Sequence, residues 1–343
     1  MTTENGRLGV AVVGCGLIGK RRAEQAHVHP RTRLVATADV NVETASLAAT
    51  PYGAQSFQDW RDAVLRNDVD VVVVATSNGN LAEITCAALD GGKHVLVEKP
   101  MGRDYAEAKE MMAAAEAAGR RLKIGFNHRY HPALSEAHRR FRAGLIGRFI
   151  HARVRYGHGG RPGYETEWRG NRELAGGGEL TDQGVHVIDL LQWFVGVPDE
   201  AFAYLQTAVW PLGDLEDNAF ALLRWKDGTV ASFHTAWTQW KNLFSFELFG
   251  SEGSLVVEGL GKSYGVETLT MSIRRPEGGV PEQETIAFDR ADDSWALEWD
   301  DFVSGICSGG PFLSEAREGV EVMRTLDAIY RSAAAGAPVG VGV

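Results

Sequence analysis

A glycine-rich turn near the start of the chain places the strongest constraint on its fold. Residues 14–19 read Gly-Cys-Gly-Leu-Ile-Gly and follow the short apolar run Leu8–Val13 directly. In a strand–turn–helix unit, Gly14 permits the tight turn, Gly16 lets the backbone approach a pyrophosphate, and Gly19 lets the helix pack on the sheet. The helix N-terminus then offers free N–H groups to phosphate oxygens. The pattern predicts a dinucleotide-binding turn.

An acidic residue follows this turn at the distance that the interpretation requires. Asp39 stands twenty residues after Gly19, at the end of the next predicted strand. A carboxylate there accepts hydrogen bonds from a ribose diol and repels a 2′-phosphate, which favours NAD over NADP. Three cations, Lys20, Arg21 and Arg22, crowd the first turn of the helix. They either offset pyrophosphate charge, reach a 2′-phosphate, or lie solvated on an outer face.

The first third of the chain alternates strands with helices. Further short apolar runs, typical of strands buried on both faces of a parallel sheet, lie at 33–38, 69–75, 94–97 and 122–126. The clearest helix runs from its N-cap Asp104 to Ala118 and ends at Gly119. This alternation predicts an α/β fold in which residues 1–126 form a Rossmann domain with a doubly wound parallel sheet.

The remainder, residues 127–343, predicts a C-terminal α+β domain with a large, mostly antiparallel open sheet. A helix is expected over 132–143, another near 181–195, and two more over 295–306 and 315–334. Strands are expected at 149–156, 202–210, 219–225, 230–237 and 244–249. Asp227-Gly228 is a strong signal for a short hairpin between two of these strands.

Aromatic side chains occur on both alternating sets of these strands. They are Trp225, Phe233, Trp237, Trp240, Phe244 and Phe246. If helices cover one face of the sheet, the other face stays apolar, and a second subunit is the expected cover. A sheet enclosed within one chain is the alternative.

Two segments carry side chains suited to acid–base chemistry. Glu98-Lys99-Pro100 ends a predicted parallel strand, where open α/β sheets place their ligands, and a lysine there can stabilise an alkoxide. Asp182 and His186 are four residues apart and therefore neighbours on one face of a helix. Such a pair can hold the imidazole in one tautomer as a general base, although a purely structural hydrogen-bonded pair is the alternative. Three consecutive glycines, residues 176–178, precede this helix.

Taken together, these segments resemble the Gfo/Idh/MocA family of oxidoreductases over nearly the whole chain. The resemblance rests on the GxGxxG turn, Thr76-Ser77-Asn78, the run from Gly92 to Pro100, Gly125-Phe126-Asn127, and the helix that carries Asp182 and His186. Family members often have Thr-Pro-Asn followed three residues later by His. Here Ser77 replaces the proline and Leu81 the histidine, which weakens only the assignment of that loop.

The resemblance implies an NAD-dependent dehydrogenase that oxidises a secondary ring hydroxyl of a sugar, sugar derivative or cyclitol, with hydride passing to nicotinamide C4. It makes Lys99, Asp182 and His186 the catalytic residues, with His186 as base and Lys99 stabilising the alkoxide. Asn127 faces the nicotinamide and substrate, while Thr76, Asn78, Glu98 and Lys99 join Gly14, Gly16, Leu17, Ile18, Gly19 and Asp39 in binding the cofactor. A redox-neutral enzyme that holds NAD tightly and oxidises its sugar transiently, and a non-catalytic NAD-binding regulator, are the alternatives.

Further substrate contacts are expected upstream of the catalytic helix. Arg161 and Arg169 belong to an arginine cluster that could meet a phosphate, nucleotide or carboxylate, unless these arginines pair with nearby glutamates. Trp168 could stack on a sugar face, although core packing is its default role. With Lys99, Asn127, Asp182 and His186, these residues form the expected substrate site.

Composition excludes several classes of partner. The chain has 35 Lys and Arg against 45 Asp and Glu, and this acidic balance argues against nucleic acid. No apolar run approaches the length of a membrane span, and the three scattered cysteines form no CxxC pair. His128, His131, Asp182 and His186 lack the spacing of a closed metal site, so no metal is expected. A cytoplasmic homodimer or homotetramer, joined through the C-terminal sheet, is the expected form.

Overall fold

The computed structural model describes residues 6–342, which form two compact units. One unit contains residues 6–126 and 295–320, and the other contains residues 127–294 and 321–342. The predicted C-terminal domain, residues 127–343, included residues 295–320. They belong to the first unit because Trp299, Phe302 and Val303 are buried in the same apolar cluster as Val10 and Val71.

The first 126 residues alternate strands and helices. In chain order these are β1 (Leu8–Val13), α1 (Leu17–Val28), β2 (Thr32–Ala38), α2 (Val42–Ala49), β3 (Gln55–Phe57), α3 (Trp60–Val64), β4 (Val71–Val74), α4 (Leu81–Asp90), β5 (His94–Glu98), α5 (Tyr105–Ala118) and β6 (Leu122–Gly125). The strands pair in parallel in the order β3-β2-β1-β4-β5-β6. This order confirms the predicted doubly wound Rossmann sheet.

Helix α5 shows how local sequence sets these elements. Asp104 accepts a hydrogen bond from the backbone N–H of Glu107 and so caps the helix, as predicted. Gly119 ends the helix in the left-handed conformation, with φ of 60°. Between these two residues, Ala108 and Met111 are fully buried on the face that packs into the unit.

Residues from 127 onward are built mainly around strands. In chain order the elements are α6 (Pro132–Arg142), β7 (Phe149–Gly157), α7 (Arg172–Ala175), α8 (Val185–Val195), β8 (Glu200–Gln206), β9 (Asn218–Arg224), β10 (Val230–Ala236), β11 (Leu243–Gly250), β12 (Gly253–Glu258), β13 (Glu267–Ile273), β14 (Glu282–Phe288), α9 (Ser294–Ser308), α10 (Ala316–Ala335) and β15 (Val339–Gly340). A π-helical turn, Leu180–Gly184, leads directly into α8.

These strands form one nine-stranded sheet in the order β14-β13-β12-β11-β7-β10-β9-β8-β15. Among the described strands, β7 and β10 pair in parallel and the other neighbours are antiparallel. The predicted large, mostly antiparallel sheet is therefore confirmed. Asp227-Gly228 does connect β9 to β10, and Gly228 has a φ of 87°, which glycine adopts readily.

Two details of the sheet differ from the prediction. The strand expected over 202–210 ends at Gln206, because the Asp217 carboxylate accepts hydrogen bonds from the backbone N–H groups of residues 208–210 and turns the chain away. Strands β12, β13 and β14 were not predicted. The outermost of these, β14, is largely exposed and carries polar residues on both faces, so it lacks the alternation that marks a half-buried strand.

One face of this sheet packs against helices, and α6 and α8 contact β13, β12 and β7. On the other face Tyr204, Phe220 and Leu222 are exposed, at 65%, 44% and 47%. The prediction distributed six aromatic residues over both faces of the sheet, but other side chains form the exposed apolar face. Of its six aromatic residues, Trp240 is exposed and the other five are buried. Within residues 6–342, no helix combines the length and hydropathy needed to cross a membrane.

Candidate active site

The glycine-rich turn adopts the geometry that a dinucleotide requires. Gly14 has a φ of 86°, and a Cβ atom there would lie 2.4 Å from the carbonyl oxygen of Ala75. A Cβ atom on Gly19 would lie 1.8 Å from the carbonyl oxygen of Gly14. Both positions therefore exclude a side chain for reasons internal to the fold.

Gly16 is different, because a Cβ atom there would meet nothing within 4 Å. It is the N-cap of α1, and no side chain caps the helix at this position. Leu17 and Ile18 form the first turn, so their N–H groups have no carbonyl partner within the helix and carry the partial positive charge of its N-terminus. This cradle suits the pyrophosphate of NAD.

Asp39 lies directly after β2, where the motif requires an acidic residue. One carboxylate oxygen accepts a hydrogen bond from the N–H of Cys15, at 2.8 Å, and the other accepts one from the N–H of Asn41, at 2.9 Å. The carboxylate is thereby fixed beside the glycine turn. The carboxylate oxygens can also accept hydrogen bonds from the hydroxyls of a ribose diol, so the residues present fit NAD.

Thr76 and Asn78 follow β4, which is the neighbour of β1 in the sheet. Asn78 is buried, at 4% exposure, and begins a short 3₁₀ turn. The Thr76 hydroxyl donates a hydrogen bond to the carbonyl oxygen of Ser77 at 3.1 Å. Both residues therefore lie at the carboxyl edge of the strands, where parallel sheets bind their ligands.

Glu98 and Lys99 lie at the end of β5, as predicted. The Glu98 carboxylate accepts a hydrogen bond from the Nε of Arg22, at 2.7 Å. Arg22 is fully buried and also lies 2.6 Å from the carboxylate of Glu298 on α9. Arg22 therefore pairs with two carboxylates, and it does not have any of the three roles that the sequence suggested, namely contact with pyrophosphate, contact with a 2′-phosphate or exposure to solvent. Lys99 is half-buried directly after Glu98.

In the second unit, Asn127 belongs to a buried polar cluster. Its Nδ2 donates to the hydroxyl of Ser294, at 3.2 Å, and its Oδ1 lies 3.1 Å from the Nδ1 of His128. The Nε2 of His128 lies 3.1 Å from the hydroxyl of Tyr156, whose pKa is raised well above its usual value by burial. Asn127 is thus held in a fixed orientation by neighbours on both sides.

Asp182 and His186 do not lie on one regular α-helix. Asp182 is in the π-helical turn, while His186 is in the first turn of α8. Single π turns within helices occur frequently at functional sites. The Asp182 carboxylate accepts a hydrogen bond from the Nε of Arg169 at 3.3 Å. The His186 ring is buried and stacks on the ring of His128, with 3.7 Å between the ring centroids and 12° between the planes.

The three upstream substrate candidates contact one another's segment and, through Arg169, the π-helical turn. Arg161 donates hydrogen bonds to the Glu167 carboxylate, at 3.0 and 2.7 Å. The Arg169 guanidinium lies 4.5 Å from the centroid of the Trp168 ring while its Nε bonds Asp182. Arg161 thus pairs with a nearby glutamate, as the simpler interpretation expected, whereas Arg169 lies between Glu167, at 3.5 Å, and Asp182, at 3.3 Å.

Sequence reasoning missed several residues of this cluster. Tyr156 and Tyr264 have ring centroids 5.3 Å apart, and the amide nitrogen of Gln183 donates to the hydroxyl of Tyr264 at 3.1 Å. Burial raises the pKa of Tyr264 to about 12. The sequence suggested His128 only as a possible metal ligand. Its position next to Asn127 could have indicated that it belongs to the same polar cluster. Across residues 6–342 no group of three or more His, Cys, Asp or Glu side chains could hold a metal ion.

Comparison with known protein families gives a match in each unit. Residues 8–126 match the model of an oxidoreductase family with an NAD-binding Rossmann fold. Residues 134–256 match the model of the GFO/IDH/MocA C-terminal domain. The N-terminal unit is therefore an NAD-binding Rossmann domain.

Individual relatives match along most of the chain. A levoglucosan dehydrogenase of Pseudarthrobacter phenanthrenivorans is 28% identical, over 95% of this chain and 96% of its own length. A 1,5-anhydro-D-fructose reductase of Ensifer adhaerens is 32% identical, over 88% and 89% of the two chains. Among solved structures, a levoglucosan dehydrogenase in complex with NADH superposes with a TM-score of 0.89 at 27% identity, over 98% and 99% of the two chains.

Proposed function

The chain belongs to the GFO/IDH/MocA oxidoreductase family, and from this membership we propose that it is an NAD-dependent dehydrogenase of sugars or cyclitols. The proposed reaction oxidises a secondary ring hydroxyl to a ketone. The observation that carries the proposal is the buried imidazole of His186, which follows Asp182 by four residues at a π-helical turn. A buried histidine that follows a carboxylate by about one helical turn suits the abstraction of a hydroxyl proton.

Each catalytic residue has one role in the proposed reaction. His186 takes the hydroxyl proton, and Asp182 orients the ring and supports the imidazolium that forms. Lys99 stabilises the negative charge that develops on the substrate oxygen. Each proton-transfer role typically contributes a factor of about 10²–10⁴ to the rate.

Bound NAD supplies the acceptor for the hydride of the carbinol carbon, at nicotinamide C4. The chain's own residues bind and orient it. The N–H groups at the start of α1 hold the pyrophosphate, and Asp39 holds the ribose diol. Asn127, fixed between Ser294 and His128, would contact the nicotinamide and the substrate.

Two observations support an uncharged sugar or cyclitol as the substrate. The similar proteins are named for levoglucosan and 1,5-anhydro-D-fructose, which carry no phosphate. Moreover, Arg161 and Arg169 are already paired with Glu167 and Asp182, so neither guanidinium is reserved for a phosphate group. Trp168 stays a candidate for stacking on the sugar ring.

The test is a panel of sugars, sugar phosphates, nucleotide sugars and cyclitols, assayed for NADH absorbance. We expect at least one uncharged sugar or cyclitol to yield NADH in amounts equal to the ketone formed. A substrate that is consumed without net NADH would instead indicate the redox-neutral alternative. Activity with phosphorylated sugars alone would contradict the proposed substrate class.

The catalytic assignment is tested with His186→Ala. We expect kcat to fall by about 10²–10⁴-fold while the Kd for NAD, measured by fluorescence, stays within about twofold. The control is His151→Ala. His151 lies on β7, and its ring stacks on that of Phe249 with 4.5 Å between the ring centroids. This variant therefore removes a histidine that has no role in the proposed reaction. An equal loss of NAD affinity and turnover in His186→Ala would contradict its role as base.

We also propose that the protein is a cytoplasmic homodimer or homotetramer joined through the open sheet face. The exposed side chains of Tyr204 on β8 and Phe220 on β9 are register partners, and they border a cavity of about 710 Å³. Arg153 and Glu247, which pair at 2.7 Å, line the same cavity. An apolar patch with a charged rim is typical of a subunit interface.

A further inference from the structure

The His128 ring lies face to face with the His186 ring inside the second unit. The ring centroids are 3.7 Å apart and the planes differ by 12°. Both side chains are buried, at 6% and 5% exposure. A buried imidazole in this position must influence how easily its neighbour gains a proton, because two stacked cations would repel each other strongly.

A directed chain of hydrogen bonds places a proton on one ring nitrogen of His128. The Asp292 carboxylate can only accept, so the hydroxyl of Ser294, 2.6 Å away, is the donor. That hydroxyl accepts from the Nδ2 of Asn127, which turns the Oδ1 of Asn127 toward His128. The Nδ1 of His128 must therefore carry a proton.

The other nitrogen of His128 completes the chain. In the neutral ring with a proton on Nδ1, Nε2 is an acceptor, and it lies 3.1 Å from the hydroxyl of Tyr156. Burial raises the pKa of Tyr156, which keeps that hydroxyl protonated and able to donate. Both ring nitrogens are thus engaged while His128 is uncharged.

We propose that His128 is a positioning residue for the reaction. Held neutral by this chain, its ring supports the imidazolium that His186 becomes when it takes the substrate proton. The inference rests on the proposed role of His186 as base. An aromatic face favours a cation placed over it, so the stacked ring stabilises the protonated form of His186.

Other titratable groups in the second unit also surround this stack. The Tyr156 ring centroid lies 6.4 Å from that of His186, and Asp182, on the preceding turn, is held by Arg169. On the far side of His128 lies His131, which is paired with Glu267 at 2.7 Å. The variants used for the test leave these groups unchanged.

The test compares His128→Leu with His128→Phe through the pH dependence of kcat. Leucine removes the aromatic face, so the protonated form of His186 loses stabilisation and its pKa falls. Because His186 acts as a base when deprotonated, the acid limb then moves to lower pH, by about 0.5–1 unit. We expect kcat at the plateau to fall about 10-fold in His128→Leu. Phenylalanine keeps the aromatic face, so its acid limb stays within about 0.3 unit of the wild-type limb.

Two further variants make the outcome decisive. His128→Gln also lacks the ring but keeps polar groups that can hydrogen-bond Asn127 and Tyr156. We expect its acid limb to move to lower pH by the same amount as in His128→Leu. It therefore replaces the leucine variant if that variant does not fold. Ser294→Ala breaks the chain away from the stack, and we expect a loss of about 3–10-fold in kcat. Melting temperature and NAD binding monitor folding of each variant.

The result that overturns the proposal is an acid limb in His128→Leu and His128→Gln that matches wild type, alongside wild-type turnover in Ser294→Ala. Failure of the proposed function gives a different result. If His186→Ala kept both its turnover and its acid limb, His186 would not be the base, whatever the His128 variants did.

Discussion

Gly16 shows how a single residue can serve a ligand rather than the fold. Its φ is −66°, which any residue adopts, and a Cβ atom there meets nothing within 4 Å. Gly14 and Gly19, in the same turn, would each place a Cβ atom within 2.4 Å of a backbone oxygen. Thus two glycines are required by the chain itself, whereas the third borders open space, where we propose that the cofactor binds.

At the residue scale, we therefore predict that Gly16→Ala folds normally but binds NAD poorly. The new methyl group occupies the space where the pyrophosphate approaches the backbone, so we expect the Kd for NAD to rise at least 10-fold. Isothermal titration calorimetry measures the affinity, and urea unfolding should show a stability change of less than about 1 kcal/mol. Gly14→Ala is the contrasting variant, because it should destabilise the fold itself. Unchanged NAD affinity in Gly16→Ala would contradict this account of the turn.

At the scale of elements, the buried ion cluster of Arg22, Glu98 and Glu298 connects α1, the end of β5 and α9. The Arg22 side chain is fully buried, and it lies 2.6 Å from a carboxylate oxygen on each side. Gly125 on β6 leaves space for this cluster, since a Cβ atom there would lie 2.9 Å from Glu98. Removing one member of such a cluster leaves the others as unpaired buried charges.

We predict that Arg22→Met lowers the free energy of unfolding by about 3–5 kcal/mol, because two carboxylates lose their cation. The triple variant Arg22→Met, Glu98→Gln, Glu298→Gln removes all three charges and should recover most of that loss. Arg21→Met is the matched control, since Arg21 is exposed one residue earlier and should change stability by less than about 0.5 kcal/mol. Urea unfolding of the four proteins measures these effects. Equal stability of Arg22→Met and Arg21→Met would rule out a structural role for the cluster.

Element boundaries were predictable wherever local chemistry sets them. Asp104 and Gly119 delimit α5 through a cap and a left-handed residue, and Asp227-Gly228 sets the β9–β10 hairpin. The π-helical turn at Leu180–Gly184 was not predictable, because its apolar pattern is that of an ordinary helix. The polar edge strand β14 was missed for the opposite reason, since its stability comes from pairing with β13 rather than from burial.

At the scale of the whole molecule, the exposed apolar face of the nine-stranded sheet predicts that the protein forms oligomers through this face. The double variant Phe220→Glu, Leu222→Glu places two charges at the centre of the exposed apolar patch on β9, where a second subunit would bury them unpaired. We expect wild-type protein to form dimers or tetramers in sedimentation velocity and the double variant to be monomeric. Val280→Glu, at a position that is 79% exposed outside this face, should assemble as wild type. A monomeric wild-type protein at micromolar concentration would contradict the proposed interface.

The amino-acid sequence alone determined the Rossmann sheet, the tight turn at Gly14 and the caps of α5. These features depend on backbone sterics and on hydrogen bonds between residues close in the chain, so local residue types are enough to specify them. Asp39 was also identifiable, because its distance from the turn is set by one strand–helix–strand repeat.

Only the tertiary structure decided which distant side chains meet. Arg22 lies far along the chain from Glu298, and His128 from His186, yet each pair is in contact. The tertiary structure likewise placed residues 295–320 in the first unit. Burial creates these contacts, because a charge or imidazole removed from water must find its partners among whatever residues the fold brings beside it. Neither the hydrophobic periodicity nor the residue spacing of the sequence indicates which of these distant residues come into contact.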